Sequence, residues 1–260
     1  MNAALITGAC INTGVAIVEK FAAEGKNVVF TGRSMEKVRA AEETYRKQFP
    51  NVTILGYAID SLLDERTVDE KSVDELFEEL DAKGIFIDSL VLNAADQGLG
   101  MQIFESPLTD LMRVINTNVV WNFCLAEHAA RRMKENGGGS IVFLNSNTAY
   151  RAIPDRVAYV ASKGGQLGLM RALALDLGKY NIRVNAVLPG MIKTDRWENN
   201  YNNCRNALSN YTPLGDIASF EDVANAAYFF GSDQSMNSTG AELTVDGGNM
   251  IQLVPNVPNN

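Results

Sequence analysis

The sequence predicts an α/β fold: a doubly wound, seven-stranded parallel sheet with helices on both faces, in a single domain spanning all 260 residues. Three observations predict it. Seven short apolar runs alternate with helical stretches of 3.6-residue period. A Gly-rich turn joins the first run to the first helix. Gly8, Asp60, Asn93, Ser146 and Pro189 all stand just past the ends of runs, where such sheets bind ligands. No linker or composition shift divides the chain.

Residues 3–7 form the first strand. The turn Thr7-Gly8-Ala9-Cys10-Ile11-Asn12-Thr13-Gly14 follows, then an apolar-periodic helix through Val15, Val18, Phe21 and Ala22. Strand, glycine turn and helix are the context of a dinucleotide-binding loop, in which glycines admit the backbone to a pyrophosphate and the helix start offers amides. An ordinary tight strand–helix turn reads the same way. Asn12 stands where a middle glycine is expected, and Asn tolerates left-handed backbone angles. The second strand, 27–31, runs into Gly32-Arg33-Ser34 and a charged helix to about residue 49. An acid at that strand end would hold the ribose 2′-hydroxyl of NAD. Arg33 instead suits a 2′-phosphate, or is a solvated arginine at a helix start.

The third strand, 52–58, ends at Asp60, which taken alone reads as a helix cap. Residues 62–71 are acid-rich and predict an exposed insertion or helix extension, and 73–83 a helix. The fourth strand, 89–92, leads into Asn93, and 96–105 form a loop. Ser106-Pro107 predicts an N-cap and a first-turn proline for a long helix to about residue 136, where three glycines break it. The fifth strand, 141–144, ends in Asn145-Ser146. A long helix over 157–179 precedes the sixth strand, 183–188, which Pro189-Gly190 stops. Residues 191–214 have no period and are rich in Asn, Tyr and Trp, as a substrate lid would be. A Ser219-capped helix and a last strand, 243–245, close the fold at Asp246-Gly247-Gly248. Residues 255–260 read as a frayed end.

Tyr159 and Lys163 share one face of the sixth-strand-leading helix, one turn apart. Bringing a phenol from pKa about 10 to about 7 takes roughly 4 kcal/mol. A fixed cation at about 4 Å is worth about that at an effective dielectric near 20. The pair therefore suits proton transfer at a carbonyl or alcohol oxygen. The same spacing also describes a solvated helix face.

Taken together, the Thr7-Gly8 to Gly14 loop, Asp60, Asn93-Ala94, Asn118, Ser146, Tyr159-x-x-x-Lys163, Pro189-Gly190 with Thr194, and Val245-Asp246-Gly247-Gly248 resemble the short-chain dehydrogenase/reductase family, in its single-domain, Rossmann-like branch. The resemblance implies an NAD(P)-dependent oxidoreductase acting on CH–OH and C=O groups. It implies Tyr159 as general acid or base, Lys163 as the group that lowers its pKa and grips the nicotinamide ribose, and Ser146 as the hydrogen-bond donor to the substrate oxygen. It implies that Asn118 kinks the long helix and holds a water in a relay to Lys163. Thr7, Gly8, Asn12, Thr13, Gly14, Arg33, Ser34, Asp60, Asn93, Tyr159, Lys163, Pro189, Gly190 and Thr194 are the implied cofactor contacts. Leu92, Ala95, Asn12 and the 62–71 insertion depart from the family pattern, away from the four catalytic positions.

NADP(H) is the favoured cofactor, because Arg33 is present and the strand-end acid is missing; NAD(H) is the alternative. Leu99, Met101, Tyr150, Ile153, Met191, Trp197, Tyr201 and Tyr211 suggest a hydrophobic small-molecule ketone or alcohol, or lid packing. An alcohol or polyol dehydrogenase using NAD, an isomerase or lyase, and a non-catalytic nucleotide-binding regulator stay open on this fold. A net charge of −8 without a Lys/Arg cluster argues against nucleic acid as a partner. No apolar stretch reaches membrane-spanning length and no signal peptide is evident, so a soluble cytoplasmic protein is expected. Cys10, Cys124 and Cys204 read as reduced thiols, His128 as structural, and no metal ligand set is evident. Family members commonly form tetramers, so a homotetramer or dimer is expected.

Overall fold

The computed structural model describes residues 1–194 and 210–255. Most of the expected lid, with Trp197 and Tyr201, lies outside them, as do Cys204 and the last five residues.

The chain runs β1 (Asn2–Ile6), α1 (Asn12–Ala23), β2 (Asn27–Gly32), α2 (Met35–Gln48), β3 (Ile54–Ala58), β4 (Leu62–Asp64), β5 (Thr67–Val68), α3 (Glu70–Ala82) and β6 (Phe86–Leu92). It continues through α4 (Leu108–Ile115), a π turn (Asn116–Val120), α5 (Trp121–Glu135), β7 (Gly139–Leu144), α6 (Val157–Leu177), β8 (Ile182–Pro189), α7 (Phe220–Gly231) and β9 (Glu242–Val245). The seven predicted strands form one parallel sheet in the order β3-β2-β1-β6-β7-β8-β9.

Strand side chains alternate between faces, and both faces are buried. Ala3 and Leu5 face a core built with α3, α5 and α6, including Phe77, Trp121 and Met170. Ala4 and Ile6 face the opposite core, built with α1, α2 and α7, including Phe21, Val38 and Phe230. Each fully buried Leu, Ile or Phe contributes about 1.5–3 kcal/mol. From β1 the chain steps outward to β2 and β3, then returns on the other side as β6. The reversal point is the β1/β6 junction, and the predicted site residues surround it.

Residues 62–68 are the exposed insertion expected there, and Glu70 and Lys71 extend the next helix. The insertion holds the antiparallel hairpin β4–β5, because Asp64 accepts from the Arg66 amide at 2.7 Å and from Thr67 Oγ1 at 3.1 Å, closing a tight turn. The hairpin docks on the π turn: Asn116 Nδ2 donates to Arg66 O at 2.9 Å, and Ser61 and Thr117 hydroxyls lie 3.0 Å apart. Pro107 is the cap residue of α4 rather than its first helical residue, and Ser106 does not cap the helix. The long helix runs from Leu108 to Glu135 as expected, with the π turn set within it between α4 and α5.

His128 stacks on Phe77 with ring centroids 5.4 Å apart, and its Nε2 lies 3.2 Å from Asp74 Oδ1, a packing role as expected. Among the described residues, no helix is long and apolar enough to cross a membrane.

Candidate active site

The turn after β1 is clasped to the end of β6. Thr7, fully buried, accepts from the Asn93 and Ala94 amides through Oγ1, both at 3.0 Å. Asn93 Nδ2 donates to Thr7 O at 2.9 Å and Gly8 O at 3.1 Å. Gly8 has φ +66°, and a Cβ there would come within 2.9 Å of Ala94 Cα. A Cβ on Gly14 would stand 2.3 Å from Gly8 O. Asn12 takes φ 51°, the left-handed geometry that an asparagine tolerates in place of glycine. Tyr45 donates to Ala9 O at 2.7 Å and pins the turn against α2; burial pushes its phenol far above the usual range.

The start of α1 has neither a side-chain cap nor an acidic residue in its first turn, so its amides and positive dipole end are left for an anion. Ser34 caps α2, accepting from the Lys37 amide at 3.4 Å. Arg33 beside it is exposed and makes no ion pair among the described residues. The Ile59 amide donates to Gly32 O at 3.0 Å, which sets Arg33 and Asp60 on one edge. Asp60 is exposed and accepts from the Ser61 amide at 2.7 Å. Gly190 packs against Asp246, where a Cβ would come within 2.6 Å of Asp246 Cβ. Thr194 follows, half-buried. No hydrogen bond among the described residues links Arg33, Asp60 or Thr194 to the catalytic group. These residues and the α1 amides are the donor set a dinucleotide needs, with backbone and cations toward phosphates and an acid toward the base.

Ser146, Tyr159, Lys163 and Asn118 come together beyond β7. Ser146 is buried and its Oγ accepts from the Thr148 amide at 3.1 Å. Tyr159, on α6, lies within reach of the Ser146 hydroxyl. Burial raises the Tyr159 pKa, while the Ser146 hydroxyl and the Arg156 charge oppose that rise. Lys163 is fully buried, and burial lowers its pKa to about 7. Its Nζ donates to Leu144 O at 2.8 Å and Gln166 Oε1 at 3.0 Å, and lies 5.5 Å from the centre of the Tyr159 ring. The lysine is itself desolvated, and its ammonium is directed at neutral acceptors.

Asn118 sits in the π turn, fully buried. Its Oδ1 accepts from the Asp96 amide at 2.7 Å, and its Nδ2 donates to Asp96 O at 2.8 Å and Ser162 Oγ at 2.9 Å. Its carbonyl accepts from Gln166 Nε2 at 2.6 Å and Asn122 Nδ2 at 2.9 Å. Both its side-chain amide and its carbonyl are therefore engaged by protein groups. Sequence reasoning missed Gln166, Asn145 and Ser162. Gln166 had a readable signal: it lies three residues after Lys163 and seven after Tyr159, on their helical face.

The expected substrate residues separate. Met101 is buried with Val114 and Ala158. Tyr150 is tied into an ionic cluster, donating to Glu242 at 2.6 Å and accepting from Arg171 at 2.9 Å. Leu99, Ile153 and Tyr211 are exposed, and Met191 is half-buried. Ile103 and Phe104, which the sequence did not single out, are exposed on the loop that follows β6.

A doubly wound sheet with a glycine turn at the strand-order reversal, and a Ser–Tyr–Lys group on the same rim, defines a nicotinamide-nucleotide oxidoreductase class. The comparisons agree. A family model described as enoyl-(acyl carrier protein) reductase matches residues 8–249. The chain is 33% identical over 244 residues to a 3alpha-hydroxysteroid dehydrogenase of Mediterraneibacter gnavus, covering 94% of this chain and 95% of that one. It is 32% identical over 249 residues to a 3-oxoacyl-(acyl-carrier-protein) reductase of Chlamydia trachomatis, covering 94% and 96%. The structure of ElxO, solved with NADPH bound, superposes with a TM-score of 0.86 at 27% identity, covering 96% of this chain and 99% of that one. The chain belongs to the short-chain dehydrogenase/reductase family, whose members act on alcohol and carbonyl groups with NAD(P)(H).

Proposed function

We propose that the chain is an NADP(H)-dependent oxidoreductase that interconverts a ketone and a secondary alcohol on a fairly hydrophobic small molecule. The observation that carries this reading is the gathering of Ser146, Tyr159 and fully buried Lys163 beyond β7, with Lys163 Nζ 5.5 Å from the centre of the Tyr159 ring. When bound, the nicotinamide cofactor supplies or accepts the hydride. Ser146 holds the substrate oxygen and steadies the charge that develops on it. Tyr159 donates the proton in reduction and takes it in oxidation. Lys163 keeps a third donor beyond Leu144 and Gln166, available for the ribose hydroxyls.

The α1 amides with Gly8, Asn12, Thr13 and Gly14 receive the diphosphate, and Thr7 and Asn93 brace that turn. Asp60 serves the adenine edge, and Pro189, Gly190 and Thr194 the nicotinamide side. Arg33, exposed and without an ion-pair partner among the described residues, supports a 2′-phosphate and hence NADP(H), with Ser34 beside it. Exposed Leu99, Ile103 and Phe104 on the loop beside Tyr159, with Ile153 and Tyr211, support an apolar substrate. The steroid and acyl substrates in the relatives' names point the same way. Exposed Phe123 on α5 and Leu175 on α6 support assembly into a homotetramer or dimer.

A panel of steroid, aryl and acyl ketones, followed by NADPH absorbance, tests this reading. Turnover of a ketone is expected, and Tyr159→Phe is expected to cut it by about 100-fold or more while NADPH binding stays within a few-fold. Cofactor binding without turnover of any ketone, or substantial activity in Tyr159→Phe, would overturn it.

A further inference from the structure

We infer that Gln166 is a positioning residue for Lys163: a single side-chain amide ties the lysine ammonium to the Asn118 carbonyl, along the path where the resemblance places a water relay. Gln166 is fully buried. Its Oε1 accepts from Lys163 Nζ at 3.0 Å and from Asn145 Nδ2 at 3.1 Å. Its Nε2 donates to Asn118 O at 2.6 Å.

Backbone groups with fixed polarity determine the orientation of this network. Asn145 Oδ1 accepts from the Ser146 amide at 2.7 Å, so Asn145 Nδ2 must face Lys163 O, at 2.9 Å, and Gln166 Oε1. The Asn118 carbonyl accepts only, so it takes the Gln166 amide hydrogens. Oε1 is thereby committed to the lysine, with both of its acceptor directions filled. The Asn118 carbonyl is filled as well, by Gln166 and Asn122. A carboxamide has no readily exchanged proton to pass on, so this link fixes the lysine without conducting protons. An apolar side chain here would leave the Asn118 carbonyl with one donor fewer and the buried ammonium with Leu144 O alone.

Few charges compete for the lysine. Tyr159 is the titratable neighbour on its own helix, one turn away. Leu144, Asn145 and Ser146 beyond β7, residues 147–149, and the π turn carry none. Asp110 and Arg113 on α4, Arg183 at the start of β8, and Lys179 and Tyr180 beyond α6 lie on elements packed against α6, yet burial alone accounts for the lowered Lys163.

This inference rests on Lys163 belonging to the catalytic group, but its test needs no substrate. Protein labelled with 13C at the lysine ε-carbon, free of cofactor, is titrated by NMR, with the Lys163 signal assigned through Lys163→Met. Gln166→Glu keeps the shape and adds a carboxylate, and is expected to raise the Lys163 midpoint by a pH unit or more, tenfold in its acid dissociation constant. Gln166→Met removes the acceptor and is expected to lower it. Circular dichroism identifies which variants fold, and either one alone decides the matter. A Lys163 midpoint unchanged in a folded variant would overturn the inference. A moved midpoint in a protein that turns over no ketone would instead refute the function reading and leave Gln166 in its role. Where turnover is found, the pH limb belonging to Lys163 moves in the same direction as the NMR midpoint.

Discussion

At Tyr159 and Lys163 burial dominates. It raises the phenol and lowers the ammonium, so each charged form is held less strongly than in water, and near pH 7 Lys163 divides between ammonium and amine. The lysine carries a consequence for stability. Its folded pKa of about 7 lies below the ordinary value of 10.5, so between those values the unfolded chain binds a proton that the folded chain does not. Stability of the cofactor-free protein therefore rises with pH across that window through this residue. Lys163→Met is expected to remove that rise, giving a flatter dependence of Tm on pH between about 7 and 10 than the parent protein. Parallel slopes in the two proteins would contradict the buried neutral lysine. Arg33 makes a separate prediction. As a 2′-phosphate ligand it contributes a charge-assisted contact of about 1.5–3 kcal/mol, so Arg33→Ala is expected to weaken NADPH by about 10- to 100-fold and NADH by much less. Equal losses for both nucleotides, measured by fluorescence titration, would remove the NADP assignment.

Among the elements, the β1–α1 turn shows two effects of opposite sign. Placing alanine for glycine in a helix ordinarily gains about 1 kcal/mol. At Gly14 the new Cβ would stand 2.3 Å from Gly8 O and 2.7 Å from Ala9 Cα, both backbone atoms that cannot swing aside. Overlap wins, and Gly14→Ala is expected to destabilise the protein by about 1–3 kcal/mol and to weaken NADPH at least tenfold, read by denaturant midpoint and titration. A stabilised variant with parental affinity would show that the turn yields freely. The presence of strands and helices was legible from apolar period, and Asn12 in a left-handed geometry was legible from the tolerance of that side chain. The β4–β5 hairpin was not. Its three- and two-residue strands are too short to show alternation, and an Asp64 turn and docking onto the π turn hold them together. The π turn was hidden as well, because a single extra residue per turn leaves the helical apolar pattern almost unchanged.

Across the whole molecule, the sheet order brings residues from both halves of the chain to one rim, so cofactor binding and global stability are linked. A nucleotide that binds the folded chain alone at about 100 times its Kd adds about 2.7 kcal/mol. NADPH is expected to raise Tm by several degrees, and more than NADH at the same concentration. Absence of any shift with either nucleotide would contradict a site spanning the β1/β6 reversal. Sedimentation is expected to report two or four copies of the 28.4 kDa chain, and a monomer at micromolar concentration would remove the assembly reading.

The sequence by itself determined the α/β class and the seven strands of the sheet, and it named the candidate site residues. Alternating apolar runs and invariant offsets such as Tyr159 to Lys163 are one-dimensional consequences of strand and helix geometry. Only the tertiary structure decided what those residues touch. Lys163 turns to Leu144 and Gln166, Asn118 closes on Asp96, Ser162, Gln166 and Asn122, and Met101 packs on Val114 and Ala158. The reason is physical: a buried polar group must find a partner wherever the packed elements offer one, and those partners come from distant parts of the chain.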